Sequence, residues 1–192
     1  SIPQIRIQVY FIDNEEYFKK KFLFKDSKGK YFNDNDERSM FFCRGVLETV
    51  KKLGWMPDIV HCHGWMTALM PVYLKSVYSN DPHFSSAKVI YSIYNRDEKI
   101  KFSKNLDEKL EFDNIPVSEL NITGSIGINK LHEIGIQWSD AIGFCNSEID
   151  TGLKELVKSS NKPLLEHQEE DQLIKAHQDF YDTVLSENGV LA

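Results

Sequence analysis

Two histidines, His61 and His63, stand one residue apart at the end of a short apolar run that begins at Asp58. Such a run is typical of a buried strand, and alternate residues of a strand project from the same face. Gly64 interrupts the run, and a helical pattern starts at Trp65. Because ligands of open α/β sheets bind at the carboxyl ends of strands, the spacing predicts that both imidazoles face a binding site.

The histidine pair allows three interpretations. A neutral imidazole can hydrogen-bond a polar ligand, and we assign that role to His63 before His61. A buried histidine can instead satisfy its ring nitrogens within the protein, which is the simpler role for His61. A zinc site made by both histidines with Cys43 or Cys145 is the weakest alternative, because His-x-His with scattered cysteines lacks the spacing of a zinc motif.

The rest of the chain alternates between strand and helix patterns, and these elements must position the histidines. Strands are predicted over residues 6–12, 58–62, 88–94 and 139–145, and helices over residues 34–53, 65–78, 125–138, 148–157 and 169–185. This alternation predicts an α/β fold with a Rossmann-like, doubly wound, mostly parallel sheet and helices on both faces. The charged stretch 95–113 is predicted to be a long surface loop with one short helix.

Local signals set the ends of these helices. Asp34 or Asn35 is predicted to cap the helix that stops at Gly54, and Ser147 to cap the helix over 148–157. The charged start of the first of these helices, up to Arg38, could be a binding loop, but a helix cap surrounded by solvated charge is the simpler interpretation. We predict a single domain over residues 1–192, with an amphipathic C-terminal helix at about 168–186. Its apolar face is predicted to contain Leu173, Ala176, Phe180 and Val184.

Composition excludes several classes of function. The chain has 192 residues and a formal net charge of -6, so it lacks the basic surface that nucleic-acid binding needs. Its longest apolar runs have the length of strands, which predicts no membrane span. Three cysteines, an odd number, fit free thiols in a reducing cytoplasm better than a disulfide framework.

Three segments in order resemble the bacterial glycogen synthases and plant starch synthases. Residues 57–75, PDIVHCHGWMTALMPVYLK, resemble the family's PDIVHxHDWxTALxPxYLK. Residues 10–18, YFIDNEEYF, resemble its YFIDNxxYF, and residues 34–48, DNDERSMFFCRGVLE, resemble its DNxERFxFFxRAxLE. The resemblance is good over about residues 5–95, weaker to about residue 148 and faint beyond.

The resemblance implies the amino-terminal half of a two-domain GT-B glycosyltransferase. In that fold the amino domain holds the acceptor glucan and the carboxyl domain holds the sugar nucleotide. The family transfers glucose from ADP- or UDP-glucose to an α-1,4-glucan, with retention and without a metal or other cofactor. We therefore expect an α-glucan as partner, and expect ADP- or UDP-glucose to bind only with a second domain.

This chain departs from the family pattern at several polar positions. The Asp of the family's HDW is Gly64, and the His of its TIHN is Tyr94. The chain starts after the position of a Lys-Thr-Gly-Gly loop, and too few residues follow Val157 for a nucleotide domain. We therefore assign no catalytic residue from the sequence, and we predict that the isolated chain is inactive.

Six residues are predicted to bind substrate: Asp13, Asn14, His63, Trp65, Tyr94 and Asn95. Asp13 and Asn14 follow the predicted first strand, and Tyr94 and Asn95 follow the third. Trp65 could stack on glucose rings, whereas for Trp138 packing in the core is the preferred role.

Three hypotheses follow from the pattern. The first is a synthase-type glycosyltransferase domain that is inactive alone. The second is a non-catalytic glucan-binding or regulatory module that partners an active synthase. The third and weakest is a structural remnant whose exposed cleft is covered by self-association.

Overall fold

A computed structural model describes residues 7–95 and 99–186 of the chain. The strands are β1 (Ile59–His63), β2 (Lys88–Ile93), β3 (Ala141–Phe144) and β4 (Leu164–Leu165). The helices are α1 (Glu15–Phe18), α2 (Asn35–Lys52), α3 (Met70–Lys75), α4 (Leu106–Phe112), α5 (Ile128–Trp138), α6 (Thr151–Ser159) and α7 (Leu173–Ser186). Within these residues, no helix is long and apolar enough to cross a membrane.

The four strands form one parallel sheet in the order β1-β2-β3-β4. His61 lies beside Ile90 in the register between β1 and β2, and Ile90 lies beside Ala141 of β3. Successive strands are joined through helices, as parallel pairing requires. The predicted α/β fold with a parallel sheet is therefore confirmed.

Helices cover both faces of the sheet. On one face, α2, α3 and α5 pack over a large apolar core that includes Val89, Tyr91 and Ile93 of β2. On the other face, Phe180 and Val184 of α7 pack on Ile90 and Ala141. Because Ile90 alternates with its neighbours Val89 and Tyr91, the near-continuous apolar run of β2 is explained by burial on both sides.

The predicted helix over residues 65–78 is divided in two. A short 3-10 turn spans Trp65–Thr67, and α3 starts only at Met70. Pro71 stands in the first turn of α3, where its missing N–H costs nothing, but it would remove a hydrogen bond from a continuous helix. The prediction of one helix was therefore wrong in this detail.

The predicted strand over residues 6–12 was also wrong for the part that the structure describes. Residues 7–14 have no regular secondary structure, and Ile7 and Phe11 are 80% and 88% exposed. Alternating apolar residues form a strand only where a neighbouring strand supplies hydrogen bonds, and the described part of the chain offers none here.

Two other local predictions need correction. Helix α6 is capped by Asp150, whose side chain accepts from the backbone N–H of Leu153, and not by Ser147. The predicted surface loop after residue 95 contains α4 as expected. It is nevertheless anchored in the core by buried Phe102 and Leu106.

The charged start of α2 is a buried polar cluster rather than a solvated cap. The guanidinium of Arg38 is buried and donates to the carbonyl of Tyr17 at 2.9 Å and to Asn35 Oδ1 at 2.7 Å. Asp36 is fully buried and accepts from Ser103 and from Lys109. The side chain of Asp34 makes no capping hydrogen bond, so these charges serve internal contacts.

Candidate functional site

The carboxyl ends of β1 and β2 bring together two of the predicted site residues. His63 is the last residue of β1, and Tyr94 follows the last residue of β2. The hydroxyl of Tyr94 lies 3.1 Å from Nδ1 of His63. Both side chains retain solvent contact, so this pair presents ring faces and hydrogen-bonding groups at the edge of the sheet.

His61 has a structural role. Its Nδ1 lies 2.7 Å from the hydroxyl of Tyr181, and its Nε2 lies 2.7 Å from Oγ of Ser92. Burial, followed by the neighbouring His63 and His177, lowers the pKa of His61 to about 3. Both ring nitrogens of a neutral imidazole are thus satisfied inside the protein, as the simpler interpretation predicted.

The two histidine rings lie on one face, with centroids 4.0 Å apart, which confirms the prediction from alternation. Burial also lowers the pKa of His63, with His177 as a second cause. Both imidazoles are therefore held neutral at neutral pH. A neutral imidazole can accept one hydrogen bond and donate another, which suits recognition of a hydroxyl.

Two cavities adjoin at His63 and Tyr94. The first has a volume of about 250 Å³, and Phe24, Trp65 and His132 contribute to its wall. The second has a volume of about 410 Å³ and extends over the carboxyl ends of β2 and β3. It reaches His177 of α7 and the connection that precedes that helix. The second cavity falls within the size range of small-molecule sites.

Gly64 turns the chain directly after β1. Its φ is 73° and its ψ is 177°, a conformation that only glycine adopts without strain. A Cβ at this position would lie 3.6 Å from the ring of Tyr94, which leaves room for it. Glycine suits this backbone conformation, and the carboxylate of the family pattern would be strained in it.

Trp65 is buried, with 4% of its surface exposed. Its ring packs against Phe24 at 4.6 Å and against Phe102 at 5.9 Å between centroids. Its ring thus supports the smaller cavity and has little surface for stacking on a sugar. Trp138 packs against the main core, as predicted.

Asp13 and Asn14 do not join this group. Asn14 caps α1, where its side chain accepts from the backbone N–H of Tyr17 at 2.9 Å. Neither residue contributes to any of the three cavities that include His63. Asn95 is exposed beside Tyr94, and its backbone N–H donates to Oδ1 of Asn146. Substrate binding by these residues stays a prediction.

The zinc alternative lacks its ligands. Over residues 7–95 and 99–186, no three side chains of His, Cys, Asp or Glu come close enough to hold a metal ion. Cys43 and Cys62 are buried in the core, and burial raises the pKa of the Cys43 thiol to about 12. Together with the occupied ring nitrogens of His61, the burial of Cys43 argues against the zinc site that the sequence offered as its weakest alternative.

Several residues of the larger cavity could not be assigned from the sequence. Ser92 is hidden within an apolar strand, and Gly143 gives its hydroxyl space, since a Cβ there would lie 2.5 Å from Ser92 Oγ. His177 lies on the same side of α7 as Tyr181, with its ring centroid 6.0 Å from that of His61, and residues 166–170 are irregular. The acidic residues of that segment were the one feature of the sequence that could have indicated this side of the cavity.

Comparison with known proteins places these features in a family. A family model described as the starch synthase catalytic domain matches residues 1–159. Glycogen synthase from Chlorobium limicola is 45% identical over 96 residues, which are 50% of this chain and 20% of that protein. Glycogen synthase from Geotalea uraniireducens is 40% identical over 126 residues, which are 65% of this chain and 26% of that protein.

The fold comparison agrees with the sequence comparison. The catalytic domain of starch synthase IV from Arabidopsis thaliana, bound to ADP and acarbose, superposes with a TM-score of 0.53 and 20% identity. The match covers 73% of this chain and 31% of the plant protein. The chain thus spans a fifth to a third of the proteins that it matches. On the match to residues 1–159, this protein belongs to the starch synthase catalytic domain family.

Proposed function

We propose that this protein binds an α-glucan at the carboxyl ends of β1 and β2 and does not transfer glucose by itself. The observation that carries the proposal is the pair His63 and Tyr94, joined at 3.1 Å beside Gly64. At this position the family pattern has carboxylate and imidazole groups, whereas this chain has a hydroxyl and no carboxylate. The site retains groups that recognise a sugar and lacks the carboxylate and the imidazole that the family pattern has at the positions of Gly64 and Tyr94.

Binding and transfer make different demands on these residues. A glucose unit presents hydroxyls and an apolar ring face, which match a neutral imidazole and a phenol. Transfer also requires positive charge for the departing nucleotide diphosphate and a polar group near the sugar carbon. In the larger cavity, none of the described residues is Lys or Arg. A third cavity that adjoins His63 includes Lys20, Lys21 and Arg38, so the absence of the family's carboxylate and imidazole, and not the charge of the cavities, supports binding without transfer.

Affinity electrophoresis through gels that contain glycogen tests binding. We expect the chain to be retarded, and His63→Ala to lose at least three-quarters of the retardation. His83→Ala is the matched control, because His83 hydrogen-bonds Asp81 and lies outside all three cavities that include His63. Equal retardation of the two variants, or none for the unmodified chain, would reject a glucan site at His63.

Transfer of radiolabelled glucose from ADP-glucose and UDP-glucose to glycogen tests the second half of the proposal. We expect incorporation at background for the isolated chain with either donor. Turnover above background by the purified chain would show that catalysis survives.

A second candidate is a regulatory module that partners an active synthase. The observation in its favour is a set of exposed apolar side chains that precede β1 in the sequence, among them Val9, Phe11 and Met56 at 71%, 88% and 67% exposure. An apolar surface of this kind is typical of protein contacts. Addition of the chain to an active glycogen synthase distinguishes this candidate, because a regulatory module changes the synthase rate in proportion to bound chain. On either hypothesis we place the protein in the cytoplasm, in keeping with its three free cysteines.

A further inference from the structure

More than half of the larger cavity is built by a segment outside the family match. That match ends at residue 159, whereas eight of the fourteen residues around the cavity lie between Leu165 and His177. The family resemblance therefore says nothing about this side of the cavity, residues 164–177, which we call the wall. Its chemistry can be deduced from this chain alone.

The wall is fixed at both ends. Leu164 and Leu165 of β4 pair with Ile142 and Gly143 of β3, which attaches the start of the segment to the sheet. At the other end, α7 packs on the sheet, and Tyr181 lies within hydrogen-bond distance of His61. A segment held at both ends forms a permanent side of the cavity rather than a loose tail.

The charge of the wall is negative. Glu166, Glu169 and Glu170 adjoin the cavity, and none of its described residues is Lys or Arg, although Glu166 also adjoins a neighbouring cavity that includes Lys154 and Lys158. The three carboxylates are exposed, and a nucleoside diphosphate carries two or more negative charges, so the two repel each other through solvent, most strongly at low salt. A neutral sugar is not repelled, because it carries no charge.

The same cavity offers hydrogen bonds to a neutral ligand. Nδ1 of His177 lies 2.9 Å from the carbonyl of Leu173, so this nitrogen carries the proton and Nε2 is an acceptor. Gln168 adds an amide, and the ring of Tyr94 adds an aromatic face. Acceptors, an amide and a ring face are the groups that hold a sugar hydroxyl and a sugar ring.

We propose that residues 164–177 make the cavity at the strand ends selective for a neutral glucan unit against a nucleoside diphosphate. This inference rests on the proposed function, because it names the ligand class of that same site. The segment thereby acts as a specificity wall that the matched residues 1–159 do not contain.

Calorimetric titration of the complete chain at pH 7.5 with maltotriose and, separately, with ADP tests the inference. We expect maltotriose to bind at least tenfold more tightly than ADP. The triple variant Glu166→Gln, Glu169→Gln, Glu170→Gln should tighten ADP about tenfold and change maltotriose affinity less than threefold. The control is Glu111→Gln, Glu119→Gln, Glu155→Gln, which removes the same charge from exposed positions outside the cavity.

The outcomes separate this inference from the proposed function. Maltotriose binding with equally tight ADP binding, or an equal gain in ADP affinity in both triple variants, overturns the specificity wall and leaves the glucan site standing. Failure to bind both maltotriose and glycogen overturns the proposed function and the wall with it.

Discussion

The hydroxyl of Tyr181 on α7 lies 2.7 Å from Nδ1 of His61 on β1. This contact joins a helix outside the family match to the strand that ends at the candidate site. The other ring nitrogen of His61, Nε2, lies 2.7 Å from Oγ of Ser92 on β2. His61 therefore links α7 to both β1 and β2. The position of α7 and the shape of the larger cavity therefore depend on one another.

Removal of that hydroxyl tests the link. Tyr181→Phe leaves Nδ1 of a largely buried imidazole without its partner, and we expect a loss of about 1–2 kcal/mol in the free energy of unfolding. Urea denaturation measures it. Tyr10→Phe is the control, because the Tyr10 hydroxyl makes only an exposed contact with Gln8 and its loss should cost less than about 0.5 kcal/mol. Equal losses of unfolding free energy in the two variants would show that the contact between Tyr181 and His61 stabilises the fold no more than an exposed hydroxyl does.

Restoring the family's carboxylate should not restore transfer. Gly64→Asp places a side chain at φ 73° and ψ 177°, and we expect a cost of about 1–3 kcal/mol in stability with glucose incorporation still at background. Gly64→Ala introduces the same backbone strain without the carboxylate. It should be destabilised to a similar extent in urea. A Gly64→Asp variant that is as stable as the parent would contradict the conformational explanation.

A glycine within α5 should behave unlike an ordinary helical glycine. Glycine to alanine in a helix usually stabilises by about 0.5–1 kcal/mol. At Gly135, however, the new Cβ would lie 2.6 Å from the buried ring of Tyr91, so we expect Gly135→Ala to destabilise by about 1–3 kcal/mol. Gly45→Ala in α2 meets only the side chain of Ile12, at 3.3 Å, in a segment without regular secondary structure that can shift by the small amount needed, so this change should be neutral or stabilising. Thermal unfolding of both variants checks the difference in sign.

Stability should decline on mild acidification. Burial lowers the pKa of His132 to about 4, and burial with neighbouring histidines lowers that of His61 to about 3, from an ordinary value of 6.5. Below about pH 6.5 the unfolded chain binds protons that the folded chain does not. The contribution of these two neutral histidines to the free energy of unfolding is thus complete above pH 6.5. It is lost as the pH falls toward 4 for His132 and toward 3 for His61. From pH 7 to pH 5 we expect a loss of roughly 1–2 kcal/mol for each histidine.

Urea denaturation at pH 7, 6 and 5 measures this dependence. His132→Gln should be less stable at pH 7, because the hydrogen bond with Tyr91 changes, but it should lose less stability between pH 7 and pH 5. A variant that loses as much as the parent over this interval would argue against His132 as one of the groups responsible.

Parts of this molecule could be predicted from the sequence because local pattern decides them. The apolar runs of β1 to β3 and the pairing of His61 with His63 on one face follow from alternation and burial. β4 could not be predicted, because two residues carry no periodicity. The conformation of Gly64 and the approach of α7 to the strand ends depend on tertiary contacts that no local pattern specifies.

An NMR titration of the chain with maltoheptaose tests the central claim most directly, because it locates the ligand on the fold. We predict that backbone amide shifts concentrate at the strand ends, at His63, Tyr94 and Gly143, and extend to His177. A response centred instead on the groove between α2 and α4, around Phe41 and Phe112, or no response at saturating ligand, would contradict a glucan site at the carboxyl ends of the strands.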